Sequence, residues 1–329
     1  MKLATFVYRD RNRDSFRLGA VLSEGTLIDL YPAAALYLKE VQQEKKPYPA
    51  ASHFSPVDMI AFLRLGEEGL DLARRTVDYI LPLAEKGNKP LQGIKKERLT
   101  IPMSEVVLKP PVPLPGKIIA MGLNYRDHAI EVRLQIPEFP LGFLKAPTSL
   151  IGAGEPVPYP KSTKKLDYEI ELAIVIGKKG KDIPRAQAFE HIAGYSIFND
   201  LSARDIQMRE MKYRFLLMAK GLDATGPMGP YLVTKDEISD PQQLSMELYV
   251  NQEPEPRQKS NTNQMIFGIP ELVEYWSQMT LLPGDIIVCG TTSGVAYGRQ
   301  PDPEPWYLKP GDTVECRIQG LGILRNTII

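Results

Sequence analysis

Hydrophobic and polar positions alternate with period two in much of this chain, most clearly from Leu166 to Ile176, Leu-Asp-Tyr-Glu-Ile-Glu-Leu-Ala-Ile-Val-Ile. A strand turns successive side chains to opposite faces, so Asp167, Glu169 and Glu171 are predicted to share one side, with Tyr168, Ile170, Leu172 and Ile174 on the other. The acid row continues through Ala173 and Val175, which sets the carboxylates in a partly buried pocket rather than on an open edge. Further strands are predicted at Lys117–Met121, Ile192–Phe198, Pro230–Val233, Leu244–Val250, Asp285–Gly290, Asp312–Gln319 and Ile323–Ile328. Pro-Gly-Asp at 283–285 and again at 310–312 supplies a turn before each of two late strands, and Gly320-Leu321-Gly322 reads as a hairpin connection.

The first hundred residues carry shorter strand patterns (Leu3–Tyr8, Phe16–Leu22, Thr26–Leu30) and two helical ones. The second helical pattern opens at Ser55-Pro56, read as N-cap and first-turn proline, and Met59, Ile60, Phe62, Leu63, Leu70, Leu72 and Ala73 recur along it at helical spacing. Gly66 and Gly69 are expected to split it. A proline-rich run, Lys109-Pro110-Pro111-Val112-Pro113-Leu114-Pro115-Gly116, stiffens the chain into an extended connector. The organisation expected is a small α+β domain over 1–108, a connector over 109–116 and a larger β-rich domain over 117–329, an α+β fold overall. No repeat of fixed period and no low-complexity tract points to a solenoid or a disordered scaffold.

Charge narrows the function. With 40 basic and 40 acidic residues among 329, the balance is neutral, and neither a nucleic-acid footprint nor an attraction to anionic membranes is indicated. A small-molecule role is favoured. Charge interrupts the start of the chain too early for a signal peptide, and no apolar run approaches the ~18 residues of a membrane span, so a cytoplasmic protein is expected. Cys289 and Cys316 are the only cysteines, too few for a disulfide framework or a thiolate zinc site, and are expected to be ordinary buried residues.

Neighbouring buried carboxylates repel one another and raise their own pKa values unless a cation compensates, and a divalent metal resolves that conflict. Glu169 and Glu171 gain a third candidate ligand in Asp200, which ends the run Gly194-Tyr195-Ser196-Ile197-Phe198-Asn199-Asp200. Three carboxylates with no histidine or thiolate beside them form a hard oxygen site, suited to Mg²⁺ or Mn²⁺ and tolerant of Ca²⁺. An E-x-E alone is also how an antiparallel strand presents a solvated face.

A second group changes the picture. In Asn124-Tyr125-Arg126-Asp127-His128-Ala129-Ile130-Glu131, Asn124 is placed to cap a short helix that brings His128 and Glu131 to one face at spacing i, i+3. A carboxylate beside imidazole fixes its tautomer and raises its basicity, as a general base requires. Further on, Gln207 and Lys220 are expected to reach a substrate oxygen from irregular backbone, while Arg204 and Asp205 can form a structural ion pair. The turn Cys289-Gly290-Thr291-Thr292-Ser293-Gly294 offers backbone N–H groups and hydroxyls for a carboxylate, or is a plain glycine turn.

In this order the segments resemble the fumarylacetoacetate hydrolase superfamily across roughly residues 117–329. The matching pieces are Asn124-Tyr125-x-x-His128-x-x-Glu131, Asp167-Tyr168-Glu169-Ile170-Glu171-Leu172, Asn199-Asp200-x-Ser202-Ala203-Arg204-Asp205-x-Gln207, Gly229-Pro230, Leu282-Pro283-Gly284-Asp285 and Gly290-Thr291. The resemblance implies a β-roll-like catalytic domain paired into a homodimer, behind a smaller N-terminal domain. It implies that Glu169, Glu171 and Asp200 hold Mg²⁺ or Mn²⁺, that His128 with Glu131 is the base on a segment able to close over the site, and that Lys220, Gln207 and Thr291 contact the substrate. Asn124, Tyr125 and Gly290 join the substrate-binding set on the same ground. The chain departs from many members where Gly-Thr-Pro is replaced by Gly290-Thr291-Thr292, and in a longer, proline-rich segment from Tyr297 to Trp306, expected to shape entry or a subunit contact.

The reaction expected first is hydrolytic C–C cleavage of an acylpyruvate-type 1,3-dioxo acid, with water activated by the dyad and a pyruvate enolate stabilised by the metal. The same scaffold serves oxaloacetate decarboxylation or tautomerisation, dehydration of a 2-keto-3-deoxy sugar acid, and isomerisation of an unsaturated hydroxy-diacid. A metal-dependent carboxylate-binding protein without turnover is the alternative of another class, and an intact His128 and Glu131 argue against it.

Overall fold

In the computed structural model, which describes residues 1–10, 16–23, 25–86 and 91–329, the period-two segments assemble into a 12-stranded mixed sheet. Its main path runs Thr100–Pro102, Thr26–Asp29, Arg17–Ser23, Lys2–Tyr8, Gly226–Thr234, Ile192–Asn199, Ile170–Ile176, Ile286–Thr291, Ile118–Gly122, Leu141–Lys145. The N-terminal strands therefore continue the sheet of the later ones, with Lys2 opposite Val233 and Leu3 opposite Leu232. Neighbours along the path are antiparallel except Ile286–Thr291 with Ile118–Gly122. A second sheet of four antiparallel strands holds Gln258–Asn261, Ser245–Val250, Thr313–Ile318 and Gly322–Thr327. The fold is α+β and β-rich, as the pattern predicts.

The strand Ile170–Ile176 shows why the site lies at this depth. Ile170, Leu172, Ile174 and Ile176 face a core shared with Leu248 and Cys316 of the four-stranded sheet and Leu272 and Val273 of the helix Ile269–Trp276. On the other face Ala173 and Val175 pack with Leu3, Leu18, Met59 and Phe62 from the N-terminal segment. Both faces are covered, so Glu171, in line with Ala173 and Val175, has no route to bulk water along its own row. Cys289 and Cys316 are free and buried.

Four local expectations need correction. The run 166–176 is two strands, Leu166–Asp167 and Ile170–Ile176. The break comes from side chains that take the ladder's place: Asp167 Oδ1 accepts the Tyr168 N–H at 2.8 Å, Asn199 Oδ1 that of Glu169 at 3.0 Å, and Gln258 Oε1 that of Ile170 at 2.9 Å. Ser55 does not open a helix but follows Pro47–Phe54; the next helix, Met59–Arg64, is capped by Asp58, which accepts the Ala61 N–H at 2.8 Å. Gly66, at φ +61°, separates it from Glu67–Lys86, whereas Gly69 lies inside that helix. The proline-rich run is packed rather than free: Val112 is fully buried and Thr5 donates to the Pro111 carbonyl at 2.7 Å.

Among the elements that no clear pattern marked are two strands and a helix close to the site. Leu141–Lys145 is an edge strand whose residues are mostly exposed, so no alternation marks it. Gln258–Asn261 is polar throughout. The helix Ile269–Trp276 starts at Gly268, whose N–H is taken by Glu271 at 2.8 Å, and has Pro270 in its first turn.

Candidate active site

The break at Tyr168-Glu169 swings Glu169 out of the sheet, and the Asp200 N–H donates to the Glu169 carbonyl at 2.8 Å. Glu169, Glu171 and Asp200 consequently each present a carboxylate oxygen within 4.8 Å of the other two, and all three residues are buried. Asp167 is not part of this group, although the alternation placed it on the same side. It turns away to accept the Ala296 N–H at 2.8 Å, the Tyr297 N–H at 3.0 Å and Arg204 Nε at 2.8 Å.

Three cations surround the acids. Lys220 Nζ lies 2.8 Å from Asp200 Oδ2, 3.1 Å from the Asp200 carbonyl and in contact with Glu169 Oε2. Arg204 spans Asp167 and Glu169 with two nitrogens and donates to Gln207 Oε1 at 2.8 Å with a third. Lys145, at the end of the unpredicted edge strand, is buried with its Nζ 2.7 Å from Asp200 Oδ1. The expected Arg204–Asp205 pair does not form. Consecutive residues of a helix point about 100° apart, and Asp205 instead accepts from Thr163 Oγ1 and, at 3.0 Å, from the Lys164 N–H.

These neighbours push the two glutamates in opposite directions. Burial alone would raise the Glu169 carboxyl, but Lys220 and Arg204 outweigh it and hold it down at about 2. Glu171 has no cation in direct contact, so burial, then the charges of Asp200 and Glu169, push it well above the usual carboxylate range. Its Oε2 accepts the Gly290 N–H. Burial pulls the Lys145 ammonium down against the attraction of Asp200, whereas for Lys220 the charges of Asp200 and Glu169 exceed the effect of burial and raise it.

Gly290 meets a double demand. Glu171 pairs with Thr291 but Ala173 with Val288, so the strand Ile286–Thr291 carries a bulge beside the acids, and Gly290 takes φ +91° there. A Cβ on it would stand 2.9 Å from Asn124 Cβ. Replacing Gly290 by alanine is expected to cost about 1–3 kcal/mol of stability, read from thermal and denaturant unfolding; an unshifted midpoint would show that the bulge relaxes freely.

The helix Arg126–Glu131 carries the second group. His128 Nδ1 lies 3.0 Å from Glu131 Oε2, and Glu131 Oε1 accepts the Gly294 N–H at 2.8 Å. Tyr125, not Asn124, occupies the N-cap position, and its side chain makes no cap bond. Asn124 is buried and joins two segments: its amide nitrogen donates to the Cys289 carbonyl at 2.8 Å and its oxygen accepts the Phe267 N–H at 2.9 Å. Tyr125 is wholly buried with its hydroxyl 3.3 Å from Met246 Sδ. Both side chains are thus buried with protein partners. The Thr291 hydroxyl is also engaged, donating to the Ile170 carbonyl at 3.0 Å and accepting from Gln258 Nε2 at 2.9 Å. Gln207 and Lys220 sit on the helices Arg204–Met211 and Met218–Gly221, not on irregular backbone. The Gln207 oxygen accepts from Arg204, and no hydrogen bond of its amide nitrogen is seen among the described residues.

Sequence reasoning missed Lys145 and Gln258. A lone lysine closing the run Leu-Gly-Phe-Leu was a usable signal for the first; nothing local distinguishes Gln258, which acts by bridging Ile170 to Thr291 and Thr292.

A buried all-oxygen triad, walled by lysines and an arginine and set beside an imidazole–carboxylate pair on an α+β fold, is the signature of an enzyme class rather than of a core packing motif. Residues 117–329 match the family model described as fumarylacetoacetate (FAA) hydrolase C-terminal, and the chain belongs to that family of enzymes. Among its relatives, the mitochondrial oxaloacetate tautomerase Fahd2a of Rattus norvegicus is 41% identical over 275 residues, 83% of this chain and 80% of the relative. The oxaloacetate tautomerase YisK of Bacillus subtilis (strain 168) is 39% identical over 316 residues, 94% of this chain and 95% of the relative. Among solved structures, a maleylpyruvate hydrolase from Sphingobium sp. SYK-6 in complex with manganese (II) ion and pyruvate superposes with TM-score 0.70 at 28% identity, covering 100% of this chain and 99% of that one.

Proposed function

We propose that this protein is a divalent-metal-dependent oxaloacetate tautomerase, interconverting the enol and keto forms of a small 2-oxo diacid. The observation that carries the reading is the convergence of Glu169, Glu171 and Asp200 within 4.8 Å beside the His128–Glu131 pair, in a chain 41% and 39% identical to two oxaloacetate tautomerases. The donor set fits Mg²⁺ or Mn²⁺: three buried carboxylates, each with an oxygen facing the others, and no imidazole or thiolate among them. When bound, the ion would act as a Lewis acid that binds the 2-oxo carboxylate and lowers the energy of the enolate.

The chain's own groups move the proton. Glu131 accepts from His128 Nδ1, which leaves the lone pair on Nε2 as the base. In the keto-to-enol direction Nε2 takes a proton from C3, the C3–H electron pair becomes the C2–C3 double bond, and the oxygen on C2 gains a proton from solvent; the reverse direction retraces these steps. On this reading the Gln207 amide nitrogen would orient a substrate oxygen, and Lys220, which holds Glu169 and Asp200, would do so only by giving up one of those bonds. Acylpyruvate hydrolysis is the second reading, favoured by the likeness to a maleylpyruvate hydrolase. There Nε2 would deprotonate water, which adds to the distal carbonyl; the C–C bond then breaks to an acid and the enolate of pyruvate, which takes up a proton.

A panel of oxaloacetate and several acylpyruvates, followed by the ultraviolet enol band together with pyruvate and carbon dioxide release, separates the two. Faster enol decay with neither product supports tautomerisation; pyruvate formed only from acylpyruvates would replace it with hydrolysis.

The high Glu171 pKa adds a pH dependence. Burial and the charges of Asp200 and Glu169 favour the protonated form of Glu171, and a bound ion would favour the carboxylate instead. Metal affinity is therefore expected to rise with pH and proton release to accompany binding, as calorimetry in buffers of different ionisation enthalpy would record; pH-independent binding would mean that Glu171 is not a ligand. A homodimer fits the exposed apolar residues Phe139, Leu141 and Leu144 on and before the edge strand that ends the sheet's main path. Light scattering that finds a monomer at micromolar concentration would remove it.

A further inference from the structure

We propose that Gly298 is a positioning residue for the His128–Glu131 pair: the space left by its missing side chain is the seat into which Glu131 folds. The inference rests on His128 being the base. Glu131 is gripped from two sides, by His128 Nδ1 at 3.0 Å and by the Gly294 N–H at 2.8 Å. Its stem lies directly over Gly298, where a Cβ would come within 2.7 Å of Glu131 Cγ and Oε1 and closer still to Cδ. Gly294 and Gly290 need glycine for their positive φ, but Gly298 is not among the positive-φ residues. Space alone requires it.

The segment bearing Gly298 is itself fixed by the acid that the strand pattern had assigned to the metal side. Asp167 accepts the N–H groups of Ala296 and Tyr297, at 2.8 and 3.0 Å, and its Oδ2 also accepts from Arg204, which in turn holds Glu169. Contacts thus run unbroken from Glu169 through Arg204, Asp167 and residues 294–298 to Glu131 and His128. This gives Asp167 a role in facing away from the triad: it sets the height of the seat, and the seat sets Glu131. A carboxylate is an acceptor only, so a seated Glu131 obliges Nδ1 to carry the ring proton and leaves Nε2 free. An unseated one removes that obligation.

The test is Gly298→Ala, made in the natural sequence and in Glu131→Ala, which removes the seated stem, with turnover and ¹⁵N-histidine NMR of the Mg²⁺-loaded protein as readouts. The chain has only three histidines, so the ring spectrum is simple, and His128→Asn assigns the signal. Gly298→Ala is expected to lower kcat by up to about a hundredfold, the scale of a 1 Å misplacement, to shift His128 from the Nδ1–H tautomer, and to leave Mg²⁺ affinity and the melting midpoint unchanged. In Glu131→Ala it should cost nothing more. An unmoved tautomer, or a loss repeated in full in Glu131→Ala, overturns the proposal. The tautomer reading needs no substrate, so it stands or falls separately from the choice of reaction.

Discussion

Exhaustive removal of divalent cations is expected to abolish turnover, and added Mg²⁺ or Mn²⁺ to restore it, while the chelated protein stays folded. Loss of a Lewis acid forfeits several kcal/mol of charge stabilisation, on the order of a thousandfold or more in rate. The fold should survive because the acids are not left bare: Lys220 bridges Glu169 and Asp200, Lys145 lies against Asp200, and Arg204 holds Glu169. Rebinding at a hundred times the dissociation constant should add about 2.7 kcal/mol of stability. Glu171→Gln and Asp200→Asn, each removing one anionic ligand, are expected to abolish metal binding by calorimetry while preserving the far-ultraviolet spectrum. Full activity after chelation, with metal verified absent by mass spectrometry, would dispose of the metal-dependent reading.

His128→Ala separates the base from the metal centre. Its imidazole touches none of the three acids by hydrogen bond, so the variant is expected to bind Mn²⁺ with unchanged affinity while kcat falls by a factor of about 10²–10⁴, the contribution of a positioned general base. Glu131→Gln should fall between this variant and the natural protein, since it can still accept the Nδ1 proton but carries no charge to stabilise the imidazolium. Enol decay at the natural rate in His128→Ala would mean that another group moves the proton, and Lys220 would be the first to examine.

The distance between what could be read along the chain and what needed the fold is clearest at the acids. Glu169, Glu171 and Asp200 were legible because carboxylates in an apolar run violate burial unless something compensates. Asp167 belongs to the same run and the same nominal face, yet it serves Arg204 and the 296–297 backbone. No periodicity foretells that, because the ladder is broken at Tyr168 and Glu169 by oxygens from Asp167 itself and from Asn199, with Gln258 holding the next N–H. Asn124 misled for a related reason. Asparagine before a helical run is an ordinary cap by propensity, but here its amide is used on Cys289 and Phe267, far away in sequence.

Taken alone, the amino-acid order determined the β-rich α+β character, the strands Ile192–Asn199, Ser245–Val250 and Thr313–Ile318 to within a residue or two, the acidic triad and the imidazole–carboxylate pair. These follow from local periodicity and from the chemistry of single side chains, which neighbours in sequence suffice to define. Only the tertiary structure decided that the N-terminal strands extend the catalytic sheet, that Lys145 from an edge strand reaches Asp200, and that Gly298 lies under Glu131. Each depends on residues more than fifty positions apart brought within a few ångströms, and strand partners, bulges and close backbone approaches at that separation are set by packing of the whole core rather than by any local preference.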